Sequence, residues 1–187
     1  IVSVPFVLVV NNAVPARSVK EFIALAKAQP GKLTYSSAGS GSNLHVAAEL
    51  FKNMTGTDML HVQYKGGGPA LLAVLSGEVD LSYLNVAAVV PHVKAGKLRA
   101  LGMTSTQRSA ALPELATIAE SGVPGYEFTS WVGALVPAAT PAQTVAELNA
   151  LITKSVRAPD LSKRFAEQGA EIIAGSPAQF AAHIKAE

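Results

Sequence analysis

The 187-residue chain has no cysteine. That removes disulfides, thiolate nucleophiles and cysteine-based zinc sites, and leaves the compartment open between cytosol and a disulfide-free periplasmic protein. Its four histidines, His45, His61, His92 and His183, are far apart in the sequence and lack the i, i+4 spacing of a metal-binding helix. Each reads as a surface or packed residue, and neither a metal nor a cofactor is expected. Aromatic residues make up only 6% against abundant alanine and valine, which suits thin helices packed on a sheet better than an aromatic stacking platform. A formal net charge of +2, with 15 Lys and Arg scattered along the chain, gives no basic patch, so nucleic acid drops out as a partner. No apolar run approaches the roughly 20 residues needed to span a bilayer.

What is present is a hydrophobic content of 49% with 15% charged residues, enough for a core in one domain or two small ones. The sequence opens at Ile1, without Met, inside what reads as a strand, so a preceding N-terminal part is expected. The most informative stretch is Leu33 to Phe51. Leu33, Thr34 and Tyr35 have strand character, Ser36 to Ser42 is a small polar turn with two glycines and four hydroxyls, and Leu44, Ala47, Ala48 and Phe51 repeat at i, i+3, i+4, i+7. A helix leaving such a turn offers amide hydrogens without intrahelical partners and roughly half a positive charge of dipole, a seat for a carboxylate or phosphate. The same residues also suit an ordinary strand–helix connection with a Ser or Asn N-cap. Gly39-x-Gly41 does not complete a dinucleotide fingerprint, because the third glycine position holds Leu44, and there is neither a P-loop nor a G-x-S-x-G elbow.

Taken in order, Phe6–Val10 reads as a buried strand and Ser18-x-x-Glu21 as a capping box opening a helix with Phe22, Leu25 and Ala26 inward. Met59–Tyr64 is another strand. It runs into a second permissive loop, Lys65-Gly66-Gly67-Gly68-Pro69, with Pro69 placed to start a helix carrying Leu72 and Leu75. Val79–Leu84 is a strand with Asn85 at its end, Val86–Ala95 a helix interrupted by Pro91, Leu98–Thr104 a strand and Glu114–Ser121 a short helix. Gly122-Val-Pro-Gly125 breaks the pattern, Tyr126–Val136 is extended, and the remainder is helix-rich. Thr140-Pro141-Ala142-Gln143 and Ser176-Pro177-Ala178-Gln179 open two of its helices; between these come a helix from Pro159 to Gln168 and a short strand near Glu171–Ala174. In open α/β sheets ligands gather at the carboxyl ends of strands, where both glycine-rich loops would lie.

The chain resembles the periplasmic substrate-binding proteins of tripartite tricarboxylate transporters, the Bug receptors. The matching residues are Tyr35-Ser-Ser-Ala-Gly39-Ser-Gly41-Ser-Asn-Leu-His45, His61-Val-Gln-Tyr64-Lys65-Gly66, Ala95-Gly96-Lys97-Leu98-Arg99-Ala100-Leu101, Leu112-Pro113, Glu120-Ser-Gly122-Val-Pro124-Gly125-Tyr126 and Trp131-Val-Gly133-Ala-Leu-Val-Pro137-Ala-Ala-Thr140-Pro141. The resemblance implies an α/β, type II periplasmic-binding-protein fold with its ligand between two domains. Here that means one complete lobe, residues 1–121, and the C-terminal portion of the other, residues 122–187. It further implies a monomeric, non-enzymatic periplasmic receptor that delivers a small carboxylate to membrane permease subunits, with Ser37, Gly39, Ser40, Ser42, Asn43, Lys65, Gly66, Gly67 and Asn85 on the ligand side. Lys65 also reads as a solvated loop charge, Asn85 as the cap of the helix from Val86, and His45 as a packing or hydrogen-bonding residue. Gln63 and Ala116 stand where the pattern usually has proline, and Leu84 where an Asp commonly precedes Asn85. Two rival functions are the effector domain of a transcriptional regulator, which shares this fold, and a hydrolase using Ser37 or Ser42, which needs a base and an acid that the sequence does not place beside either serine.

Overall fold

The computed structural model describes residues 2–186, and in it the chain resolves into two compact units: Pro5–Thr129, and the first few residues up to Val4 together with everything from Ser130 on. The larger unit is built on a five-stranded sheet in the order β3-β2-β4-β1-β5. Its longest strand is β1 (Val2–Asn11), an interior strand whose Phe6–Val10 core is buried on both faces because helices cover both. Alternation sends Leu8 and Val10 into one apolar cluster and Val7 and Val9 into the other. β1 runs antiparallel to β4 (Leu81–Asn85) and β5 (Leu98–Met103), while β2 (Thr34–Ser37) runs parallel to β3 (Leu60–Gln63) and β4.

Helices α1 (Val19–Ala28) and α2 (Asn43–Thr55) fill one side with Val19, Phe22, Ala26, Ala47, Ala48 and Phe51. On the other side α3 (Gly67–Ser76) and α4 (Val86–Lys94) contribute Ala70, Ala73, Val74, Val86 and Val89. Ser18 caps α1 by accepting from the Glu21 amide, but the Glu21 carboxylate reaches back to the amide of Arg17, one residue beyond the expected box. Tyr126 belongs to this unit's core, fully buried with its hydroxyl donating to the Ala47 carbonyl at 2.9 Å.

Three sequence expectations need correction in this unit. Ser36 and Ser37 are not turn residues but the last two of β2, both fully buried. Pro69 is the third residue of α3, not the first, and Leu72 is 65% exposed, because the small residues Ala70 and Ala73 let that helix sit close to the sheet. Residues 114–121 form no helix. Their backbone instead pairs with the end of β5, Met103 donating to Ala116 O and accepting from the Ile118 amide, and Thr117 and Glu120 satisfy each other's amides.

In the smaller unit, β6 (Thr129–Val132) and β7 (Glu171–Ile172) both pair with β1, β7 in antiparallel register with Val2 and Ser3. Trp131 packs edge-on against Phe180 and His183 of α7 (Pro177–Ala186), a helix opened by the reciprocal Ser176–Gln179 bonds. The helix α5 (Ala142–Val156) begins one residue later than expected, with Pro141 outside it as the cap position. It buries none of its residues, its apolar stripe of Leu148, Leu151 and Ile152 remaining exposed, and α6 (Pro159–Glu167) buries none either.

Candidate functional site

Because β2, β3 and β4 are adjacent and parallel, their carboxyl ends share one edge of the sheet, and a helix leaves each: α2 after β2, α3 after β3, α4 after β4. Ser37 is in register with Gln63, and the Tyr64 amide donates to the Ser37 carbonyl, so the two glycine-rich loops start side by side. A Cβ built on Gly39 would stand 4.0 Å from the Tyr64 carbonyl, whereas one on Gly41, Gly66, Gly67 or Gly68 would meet nothing within 4 Å. Gly39 and Gly66 have φ of 121° and 113°, values that a side chain would strain.

The expected site residues divide into two groups. Ser40, Asn43, Lys65, Gly67 and Asn85 are exposed, and Gly39, Ser42 and Gly66 partly so. Ser42 is the N-cap of α2, accepting from the His45 amide, and Gly66 is the N-cap residue of α3. Lys65 takes part in none of the ion pairs among the described residues. Asn85 occupies the N-cap position of α4 but its side chain makes no capping hydrogen bond, so the capping alternative fails and the amide points elsewhere. The remaining residue, Ser37, is fully buried and serves the loop from within. Leu84 lies inside the apolar core at 2% exposure, since β4 alternates and Asn85 takes the outward position; a substitution at 84 therefore changes the core and not the loop edge.

His45 makes the packing and hydrogen-bonding contacts expected of it, and the feature that sequence reasoning missed is its pairing with His61. His45 and His61 stack with ring centroids 4.3 Å apart, and Tyr35 stacks on His61 at 4.9 Å. His45 Nδ1 accepts the Gly41 amide at 3.2 Å, and His61 Nε2 lies 2.6 Å from Ser37 Oγ. Ser37 Oγ also contacts both the amide and the carbonyl of Gly39 at 3.1 Å. A hydroxyl has one proton to give, so all three contacts are made only when it donates to Gly39 O and accepts from the Gly39 amide and from His61 Nε2–H. A ring nitrogen that donates to the serine is not its base. At Ser37, then, this arrangement supplies no base for the hydrolase reading.

Around the pair, Tyr35 Oη donates to Glu49 Oε1 at 2.6 Å, Lys52 Nζ bonds the same oxygen at 2.8 Å, and Lys52 lies over the Tyr35 ring. Burial, reinforced by Glu49, pushes the Tyr35 hydroxyl far above its ordinary value. Burial also acts to raise Glu49, but the bonds from Lys52 and Tyr35 outweigh it and hold the carboxyl below its ordinary value. Burial and then the neighbouring His45 lower His61. Ser40 Oγ donates to Gln63 Oε1 at 3.2 Å, a cross-loop bond that a proline at 63 could not make. Periodicity could not reveal the contacts among Tyr35, His45 and His61, because these residues lie on β2, α2 and β3. No group of three or more His, Cys, Asp or Glu among the described residues could hold a metal.

Comparison with known proteins adds the following. The family described as Tripartite tricarboxylate transporter family receptor matches residues 1–187. A UPF0065 protein from the tcbD-tcbE intergenic region of Pseudomonas sp. (strain P51) is 37% identical over 186 residues, 99% of this chain and 55% of that protein. Rpa4515 of R. palustris, solved with adipate, superimposes with a TM-score of 0.90 at 38% identity, over 100% of this chain and 62% of that one. MatC from Rhodopseudomonas palustris, with bound malate, superimposes with a TM-score of 0.82 at 28% identity, over 95% of this chain and 60% of that one. The chain therefore spans about half the length of the curated relatives it matches, and over that span it has the α/β fold of the periplasmic binding proteins.

Proposed function

The chain belongs to the tripartite tricarboxylate transporter receptor family, and from that premise we propose that it forms the carboxylate-binding lobe of a periplasmic solute receptor, which works without catalysis or cofactor and hands its ligand to membrane permease subunits. The reading rests on one observation. Three helix N-termini, those of α2, α3 and α4, open onto the same sheet edge, and none of the three carries an acidic residue in its first turn. An anion placed there meets unpartnered amides, three favourable dipole ends and the Lys65 ammonium, with no carboxylate competing for them. Within α2, Ser42 accepts the His45 amide through its hydroxyl and the Val46 amide through its carbonyl. No helix among the described residues is long and apolar enough to cross a membrane.

The ligand class is inferred from the carboxylates on and beside the elements that carry these loops, each of which is already hydrogen-bonded. Asp80 accepts from the Thr34 amide and hydroxyl at 2.7 and 2.9 Å, Glu78 from Tyr64, and Glu49 from Tyr35 and Lys52. A desolvated ammonium group would find no counter-charge here, which favours a simple di- or tricarboxylate, or an aromatic acid, over aspartate or glutamate. The adipate and malate held by the two structural relatives are of that kind. Replacing Ser40 or Ser42 by alanine is the test: calorimetric affinity for adipate falls by about 0.5–1.5 kcal/mol per lost hydrogen bond, and more where the acceptor is the charged ligand. Unchanged affinity in both variants overturns the assignment.

A further inference from the structure

Between them, the two stacked histidines hold both ends of the loop that carries the proposed site. The turn between Ser37, the last residue of β2, and Ser42 contains two glycines with positive φ, Gly39 and Gly41, and so has conformational freedom that an ordinary turn lacks. Its start is fixed where Ser37 Oγ meets His61 Nε2, and its far side where the Gly41 amide donates to His45 Nδ1. The His45 backbone amide in turn donates to the Ser42 hydroxyl, so one residue ties the loop both through its ring and through the helix cap. The rings touch each other at 4.3 Å, which makes the two attachments one unit.

We propose that His45 and His61 are positioning residues, a neutral stacked pair that keeps the Ser37–Ser42 loop in its anion-receiving shape and thereby sets carboxylate affinity without touching the ligand. The inference rests on the receptor reading above. Chemistry supports it at His45 in particular: accepting from Gly41 requires a bare Nδ1, and a proton added there turns the acceptor into a donor facing a donor. The groups facing the pair are Tyr35 from β2, and Glu49 and Lys52 from α2 beside His45 itself, while β3 contributes His61. Glu49 acts on the pair in the opposite sense, favouring a charged His61, but Tyr35 and Lys52 hold its Oε1, and burial together with His45 and Lys52 outweighs it at His61. Two protonated rings at this stacking distance would also repel, and burial together with His45 already lowers His61.

Three forms of the protein decide the matter: wild type, His45→Phe, which keeps the stack but has no acceptor, and His45→Asn, whose side-chain oxygen can take the place of Nδ1. In ligand-free wild type, the Gly41 amide resonance moves with the same midpoint as the His45 imidazole during a pH titration, and in His45→Asn that titration is absent. Adipate affinity falls about 3- to 10-fold in His45→Phe, the reach of one lost hydrogen bond, and stays within about 2-fold of wild type in His45→Asn. A Gly41 resonance indifferent to His45 protonation, or equal adipate affinity in wild type and His45→Phe, overturns the proposal. Failure of wild type to bind adipate counts instead against the receptor reading, and the Gly41 titration still decides the role of the pair.

Discussion

At the scale of single residues, Tyr83 stands out because its hydroxyl is fully buried and has no hydrogen-bond partner. It sits among Phe51, Tyr35 and Tyr126, and an unpaired hydroxyl in such a place costs more than a ring edge would. Tyr83→Phe is therefore expected to leave stability unchanged or raise it by up to about 1 kcal/mol, measured by urea unfolding; a loss above about 1 kcal/mol would show that the hydroxyl has a partner. The His61 and Glu49 shifts carry a sign that acid unfolding can read. Both groups have a folded-state value below their unfolded one, so the unfolded chain binds more protons as pH falls, and the stability they contribute above the unfolded value is lost on acidification. The first loss begins below the ordinary histidine value of 6.5 and the second below the ordinary carboxyl value of 4.5. His61→Gln should remove the first step and leave the second; a wild-type melting temperature that is flat between pH 7 and 5 contradicts the role given to His61. Ser37 shows why residue-scale reading has a limit. The family resemblance marked it as a ligand-side candidate, but it is a buried strand residue whose hydroxyl meets a histidine 24 residues away, which no local pattern encodes.

At the scale of elements, legibility followed the strength of local signals. The i, i+3, i+4, i+7 pattern of α2 corresponds to its buried face, Leu44, Ala47, Ala48 and Phe51, because the helix lies flat on a sheet and its apolar stripe has a single place to go. Residues 114–121 carried a helical pattern too, yet the free edge of β5 competed for their backbone groups and won through Met103. That docking depends on a missing side chain. A Cβ on Gly102 would stand 2.9 Å from Ile118 Cγ1 and 3.1 Å from Val19 Cγ2, closer than packed carbons tolerate. Gly102→Ala is expected to cost about 1–3 kcal/mol by overpacking, seen as a lower midpoint in denaturant at unchanged slope. A neutral outcome would mean that the 117–118 segment yields easily and is not a fixed part of the lobe. The exposed stripe of α5 illustrates the opposite case: periodicity identifies an apolar face correctly but says nothing about whether a partner covers it.

At the scale of the molecule, the sheet order and the sharing of one edge by three strand ends could not be read from any segment, since both arise from long-range pairing. What the sequence did contain was the pair of glycine-rich loops and the rule that places them at the carboxyl ends of strands, where the structure has them. The same large unit also presents a groove lined by Val93 at the end of α4, Leu98 and Arg99 of β5, and Leu112 and Leu115 of the irregular segment that follows β5. It is mostly apolar, and of the three anion-directed helix starts it has none. The two places are distinguished most directly by amide chemical-shift mapping of the isotopically labelled 187-residue protein during titration with adipate, with aspartate as the amine-bearing comparison. The account predicts that adipate shifts the amides of Gly39–Leu44, Lys65–Gly68 and Asn85–Val86 together and at lower concentration than aspartate does. Shifts centred on Val93, Arg99 and Leu112 with the loop amides unmoved, or saturation by aspartate before adipate, would contradict it.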